Sequence, residues 1–154
     1  VIKIYVRAIA ATKKEYILMG DKDKEGKQTW DLPGGELQAG VDIKQLLQKL
    51  VLQNTGYSIT NLKFFELACK IKPRARGQDP LTIIDFIFTS DLEDVPVEPA
   101  QKEVDLFRFE QFEWLESGGR YRMNKVMSLL SRYHGKRATT HDRRLNVDVE
   151  PTMP

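Results

Sequence analysis

The residues of this chain that could do chemistry are acids set around a glycine turn. Pro33-Gly34-Gly35 precedes an amphipathic stretch, and Glu36 directly follows the turn. A carboxylate there could reach a phosphate-bound metal ion, because magnesium is a hard cation held by carboxylate and phosphate oxygens. The simpler reading of Glu36 is a solvated loop acid. Asp42, Asp85, Glu98, Glu103 and Asp105 are further candidates. Asp85 lies inside an apolar run, where alternation turns it either to solvent or into a cleft. Glu103 stands just ahead of another such run. His134 and His141 have no cysteine or acid at ligand spacing, which argues against zinc. Cys69, the single cysteine, sits between Leu67 and Ile71 and reads as a small core residue rather than a nucleophile.

Aromatic and basic residues supply the complementary chemistry of binding. Trp30 immediately precedes the Asp31-Leu32-Pro33-Gly34-Gly35 loop and is the ring best placed to stack on a base, whereas Tyr5, Phe64, Phe86 and Phe88 sit in strand-like runs where aromatics usually pack. Lys70, Lys72, Arg74 and Arg76 form one local basic cluster, and Lys136, Arg137, Arg143 and Arg144 another. Either could meet phosphates, or simply keep the surface solvated.

These residues need elements to hold them. Residues 2–11 and 15–20 are β-branched, aromatic and apolar runs separated by polar residues, which predicts a hairpin. A charged loop from Asp21 to Gln28 leads to a short strand over 29–32 and a turn at 33–35. From Val41 onward, Ile43, Leu46, Leu47, Leu50 and Val51 recur at spacings of three and four, the stripe of a half-buried helix that Gly56 ends and Asp42 caps. Residues 59–71 and 81–89 read as long strands joined by the basic turn KPRARGQDP, and Pro96 and Pro99 mark a loop between Asp91 and Gln101. A strand over 104–110, a short strand or turn over 112–115 and a second helix over 120–133 complete the pattern. Strands, helix, strands, helix predict an α/β (α+β) sandwich with a mixed sheet between helices. One domain over 1–135 is expected, followed by a basic tail over 136–154 that is either docked or disordered.

The turn and helix together resemble the box of the Nudix hydrolases, usually written G-x5-E-x7-R-E-U-x-E-E-x-G-U, with U a bulky apolar residue. Gly35 takes the first glycine and Gly56, 21 residues later, the second. Val51 and Tyr57 occupy apolar positions, and Lys49 stands where the family has arginine. The family's glutamates are replaced: Val41 takes the place of the first, Leu50 of the second, and Gln53 and Asn54 of the adjacent pair. Gln38 stands where many members carry a loop glutamate. The surrounding strands, and the Trp-containing acidic segment from Glu110 to Glu116, extend the likeness over about residues 2–134. The resemblance implies a Nudix-type α/β/α sandwich with a mixed central sheet. It also implies a cleft in which Trp30, Gly34, Gly35, Lys49, Arg74 and Arg76 would bind a nucleotide.

Members of that family hydrolyse a diphosphate linking a nucleoside to another group, with magnesium or manganese held by the box glutamates. Amides and alkyl chains neither hold such an ion well nor accept a proton from water at neutral pH. The chain is therefore expected to bind a nucleotide, a nucleoside diphosphate derivative, or an RNA or protein partner, without a cofactor and with little or no hydrolysis. The alternative is a hydrolase of a nucleotide pyrophosphate whose acids and magnesium or manganese site come from outside the box, with Glu36, Asp85 and Glu103 as candidates.

Composition sets outer bounds. At 154 residues and 41% hydrophobic, the chain has one core's worth of apolar residues. Lys plus Arg number 24 against 22 for Asp plus Glu, so the net charge of +2 exerts no strong global pull on nucleic acid or membrane. No run approaches the roughly 18 apolar residues of a membrane span, and a lone cysteine fits a reducing, cytoplasmic setting. The chain starts at Val1 rather than methionine, which leaves room for residues upstream. Nudix proteins commonly dimerise, although no apolar run here compels a homodimer.

Overall fold

A computed structural model of the chain describes residues 1–12, 15–22, 25–26, 28–101, 103–108, 132–133 and 145–149. Its elements are strands β1 (Ile2–Ala11), β2 (Glu15–Lys22), β3 (Gln28–Asp31) and β4 (Gly34–Glu36), helix α1 (Ile43–Thr55), and strands β5 (Ile59–Lys72), β6 (Leu81–Leu92), β7 (Glu103–Arg108) and β8 (Leu145–Val149). The short strand over 112–115, the acidic segment over 110–116, the second helix apart from Arg132 and Tyr133, both histidines and the basic residues of the tail lie outside the described residues.

Alternation along β1 decides which side of the sheet each residue serves. Val6, Ala8 and Ala10 face α1, and Ile9 and Ala11 face the opposite side, as successive side chains of a strand must. Both sides are apolar in β1 because both are covered. Leu46, Leu47 and Val51 of α1 pack on the first side with Ile17, Ile59, Leu62, Phe88 and Leu92. Tyr133, in the helical pair Arg132–Tyr133, packs on the other side with Tyr16, Trp30 and Phe65, its ring meeting those of Tyr16 and Phe65 edge to face. Burying a side chain such as Leu47 stabilises the fold by about 1.5–3 kcal/mol. The α1 stripe is the one read from sequence, and Asp42 caps the helix by accepting a hydrogen bond from Gln45 N at 3.0 Å.

The mixed sheet has the path β3-β2-β1-β6-β5-β8, with β4 on β1 and β7 on β2. β1 and β6 run parallel along ten paired positions, and β5 and β6 form the long antiparallel hairpin. The sheet forks at β1. One edge of β1 touches β2 through Ala11 and Tyr16 and then holds β4 at Tyr5, Val6 and Arg7, so β2 and β3 diverge from β1. The loop from Asp31 to Pro33 bridges the fork.

Two segments differ from the sequence reading. Gly34 and Gly35, expected only as a turn, belong to β4, because the turn is followed at once by pairing with β1. Residues 145–149, within a tail expected to have no pattern, run parallel to β5 from Leu67 to Ile71. Leu145, Val147 and Val149 alternate with Asn146 and Asp148, a period of two that is short and set among charged residues.

The other unheralded feature is a buried ion pair. A register shift between Phe64 and Glu66 lets Phe65 and Glu66 face the same side, and Glu66 is 0% exposed. Arg132 answers it with a two-pronged contact, Nε to Oε1 at 2.9 Å and Nη2 to Oε2 at 2.8 Å. This pair ties Arg132 to β5. Substituting Arg132 by Ala removes the guanidinium from a fully buried carboxylate and is expected to cost about 3–5 kcal/mol in urea unfolding. The double variant Glu66→Leu with Arg132→Met should recover most of that loss.

Candidate functional site

The loop that bridges the fork is held by glycine on one side and arginine on the other. Gly34 has φ of 151°, and a Cβ added to it would collide with the carbonyl oxygen of Val6. Only a residue without a side chain lets β4 come this close to β1. Ala8 N donates to Pro33 O at 2.9 Å and Leu37 N to Ile4 O at 2.7 Å, which closes both ends of the approach.

Arg7 extends from β1 on the side away from α1 and collects the loop and β6 around one guanidinium. Its Nε donates to Asp85 Oδ1 at 3.4 Å and its Nη1 to Leu32 O at 3.2 Å, with Asp31 Oδ2 at 3.8 Å. The guanidinium lies 5.2 Å from the ring centre of Tyr5. The pair with Asp85 is partly shielded, Arg7 being 21% and Asp85 27% exposed, so it is worth more than a surface ion pair. Asp85 is thus joined to an arginine that the sequence reading did not single out. The available signal was a charged residue alternating with apolar ones in IKIYVRAIAA.

On the α1 side, the loop meets the positions where the resemblance expects metal ligands. A Cβ on Gly35 would stand 3.1 Å from Leu50 Cδ1, so the leucine side chain rests directly on the glycine. Asn54 Nδ2 donates to Gly34 O at 3.0 Å. Both residues spend their side chains on joining helix to loop. Gln53 and Lys49 are exposed on α1, and Val41 is exposed ahead of it. The second box glycine, Gly56, ends α1 in the left-handed region with φ of 77°. A side chain there would strike the carbonyl of Glu98, and Gly56 O accepts from Val97 N and Glu98 N.

The remaining candidates are dispersed. Glu36 is exposed at the end of β4, opposite Tyr5, and Glu103 is exposed at the start of β7, opposite Gly20. Asp42 serves the helix cap, and Asp105 accepts a hydrogen bond from the adjacent Leu106 N. Among the described residues, no three carboxylate, imidazole or thiol side chains converge as a metal cluster would require. Arg74 and Arg76 are exposed in the turn between β5 and β6. Trp30 is the clearest change from expectation. It is 6% exposed and belongs to the core with Ile9, Tyr16 and Leu32, because the pleat of β3 turns its ring inward. A ring enclosed in this way has no open face for a base. Phe64, Phe86 and Phe88 pack together under α1.

The two loop glycines should respond differently to a methyl group. Gly34→Ala sets side chain against backbone and is expected to destabilise the protein by at least about 3 kcal/mol. Gly35→Ala meets only the end of a leucine side chain and should cost about 1 kcal/mol. Equal losses of midpoint in denaturant titration would refute this assignment of the close approach to Gly34.

No family model matches the sequence, and no curated protein does so either. The fold does have counterparts among solved structures. A Nudix hydrolase from Nitrosomonas europaea superposes with a TM-score of 0.66 at 18% identity, covering 96% of this chain and 79% of the other. A MutT protein from Bacillus halodurans gives 0.65 at 15%, covering 97% and 91%, and a further Nitrosomonas europaea Nudix hydrolase gives 0.62 at 19%, covering 86% and 88%. At such identities the likeness concerns the course of the backbone. With the glycine-held loop, the helix behind it and the mixed sheet, these superpositions establish that the chain has the Nudix fold.

Proposed function

We infer that the protein uses its Nudix fold to bind a nucleotide, a nucleoside diphosphate derivative or a macromolecular partner, with little or no metal-dependent hydrolysis. The observation that carries this reading is the employment of Leu50 and Asn54. Where the resemblance expects carboxylates, the leucine packs on Gly35 and the amide holds the Gly34 carbonyl.

These residues do not fit a magnesium ion. A hard dication needs anionic oxygens to offset the cost of stripping its water. Between Leu37 and Tyr57 the only acid is Asp42, which is engaged in the helix cap, and Lys44 and Lys49 add positive charge to the same helix. Glu36 and Glu103 are exposed on different strands, and Asp85 is paired with Arg7. Without a metal or a general base the usual hydrolytic route lacks the groups that each contribute several kcal/mol to lowering the barrier. Recognition of base, ribose and phosphate does not require those groups, so binding survives their replacement.

The test pairs turnover with direct metal binding. With magnesium or manganese, ADP-ribose, nucleoside triphosphates and dinucleoside polyphosphates are expected to remain intact. Calorimetric titration with manganese should give no saturable heat. A variant carrying Val41→Glu, Leu50→Glu, Gln53→Glu and Asn54→Glu should acquire a manganese site. Turnover by the natural sequence at ordinary enzyme rates of about 1–10³ s⁻¹ would overturn the reading. Loss of that turnover in Glu36→Gln, Asp85→Asn or Glu103→Gln would transfer the chemistry to acids outside the box.

A further inference from the structure

The near-neutral net charge conceals a separation of charge along the β5–β6 hairpin. β6 is twelve residues long, which at about 3.4 Å per residue places its ends roughly 37 Å apart. At and beyond its C-terminal end the exposed residues include Asp91, Glu93, Asp94 and Glu98. At its N-terminal end stand Lys72, Arg74 and Arg76 of the hairpin. The parallel pairing of β1 with β6 adds a residue that is remote in sequence. Lys3 is in register with Ile83, which is in register with Lys70 on its other side, so Lys3 and Lys70 project from the same face about 10 Å apart.

Lys3, Arg74 and Arg76 are exposed, and Lys72 is half-buried at the base of the turn. The acids nearby are Asp79 in the turn, Asp148 in register with Lys70 on β8, and Glu36 and Asp85 in register with Tyr5 on either side, Asp85 being paired with Arg7. The basic residues outnumber them. One step inward on the same face lies Tyr5, half-buried, its ring against the Arg7 guanidinium.

Distance decides which charges a ligand senses. At physiological ionic strength the screening length is about 8 Å, so the acidic end, roughly 37 Å away, does little to offset the basic one. A ligand approaching the hairpin meets the local charge rather than the net +2. We propose that this end of the sheet, formed by Lys3, Lys70, Lys72, Arg74 and Arg76 with Tyr5 behind them, is a docking surface for single-stranded nucleic acid. The cations are spread over two strands and a turn, which suits a chain of phosphates better than a single phosphate. A sheet surface with a ring among cations is the arrangement on which bases stack while the backbone tracks the charge. The surface lies apart from the junction of the glycine loop with α1, so the assignment is independent of whether that junction supports hydrolysis.

Fluorescence anisotropy of the whole chain with a labelled single-stranded RNA of mixed sequence tests this, using an RNA longer than the roughly 4–16 nucleotides of comparable sites. Three phosphate contacts predict a slope of log affinity on log salt of about −2, hence about twentyfold weaker binding at 200 mM than at 50 mM salt. Arg74→Glu with Arg76→Glu should weaken binding at 50 mM at least about tenfold and reduce the slope by about 1.4, with the melting temperature unchanged. Lys44→Glu with Lys63→Glu alters net charge equally at exposed positions elsewhere and should leave affinity within about twofold. The proposal fails if the RNA does not bind at 50 mM salt or if both double variants weaken binding equally. It also fails if phosphatidylserine vesicles or polyglutamate bind as tightly as the RNA.

Discussion

The approach of Gly34 to the backbone of Val6 sets the position of everything on the α1 side of the loop. Two chains can come this close only where one lacks a Cβ, and the hydrogen bonds from Ala8 N to Pro33 O and from Leu37 N to Ile4 O hold the approach in register. Gly35 then arrives beneath Leu50, and the Gly34 carbonyl arrives at the amide of Asn54. Because Gly56 ends α1 against the backbone of Val97 and Glu98, the helix is anchored at its far end as well. Loop, helix and sheet form one rigid junction whose contacts are steric and neutral.

On the other side of the sheet the constraints are electrostatic. Arg7 gathers Leu32 O, Asp31 and Asp85, and Arg132 meets the enclosed Glu66. Burial makes each group costly unless answered, so both pairs act as geometric restraints: Arg7 fixes the loop to β1 and β6, and Glu66 fixes Arg132 to β5. Each arginine gains its role from an acid tens of residues away that the sheet brings alongside.

The junction of loop and helix separates two properties that glycine and glutamate provide together in the proteins this chain resembles. Gly34 and Gly56 answer to steric demands that any sequence with this backbone must meet. Leu50 and Asn54 serve packing and a neutral hydrogen bond. Fold and reaction are therefore argued from different residues. Likeness to hydrolases of known structure bears on the first set.

Local pattern alone determined the strands from Ile2 to Lys72 apart from β4, the α1 stripe with its Asp42 cap and Gly56 stop, and the β5–β6 hairpin, since each follows from a period of two, a period near three and a half, or a turn residue. Tertiary structure decided the rest. Trp30 reads as a cleft residue from its place beside the loop, yet the pleat and the fork of the sheet enclose it. β8 carries a short period of two, Leu145, Val147 and Val149 alternating with Asn146 and Asp148, but five residues inside a charged tail do not say which edge they join, and only pairing with β5 decides that. Arg7 with Asp85, Glu66 with Arg132, and Lys3 beside the hairpin are pairings across long stretches of chain, and sequence encodes such proximity only through the fold that produces it.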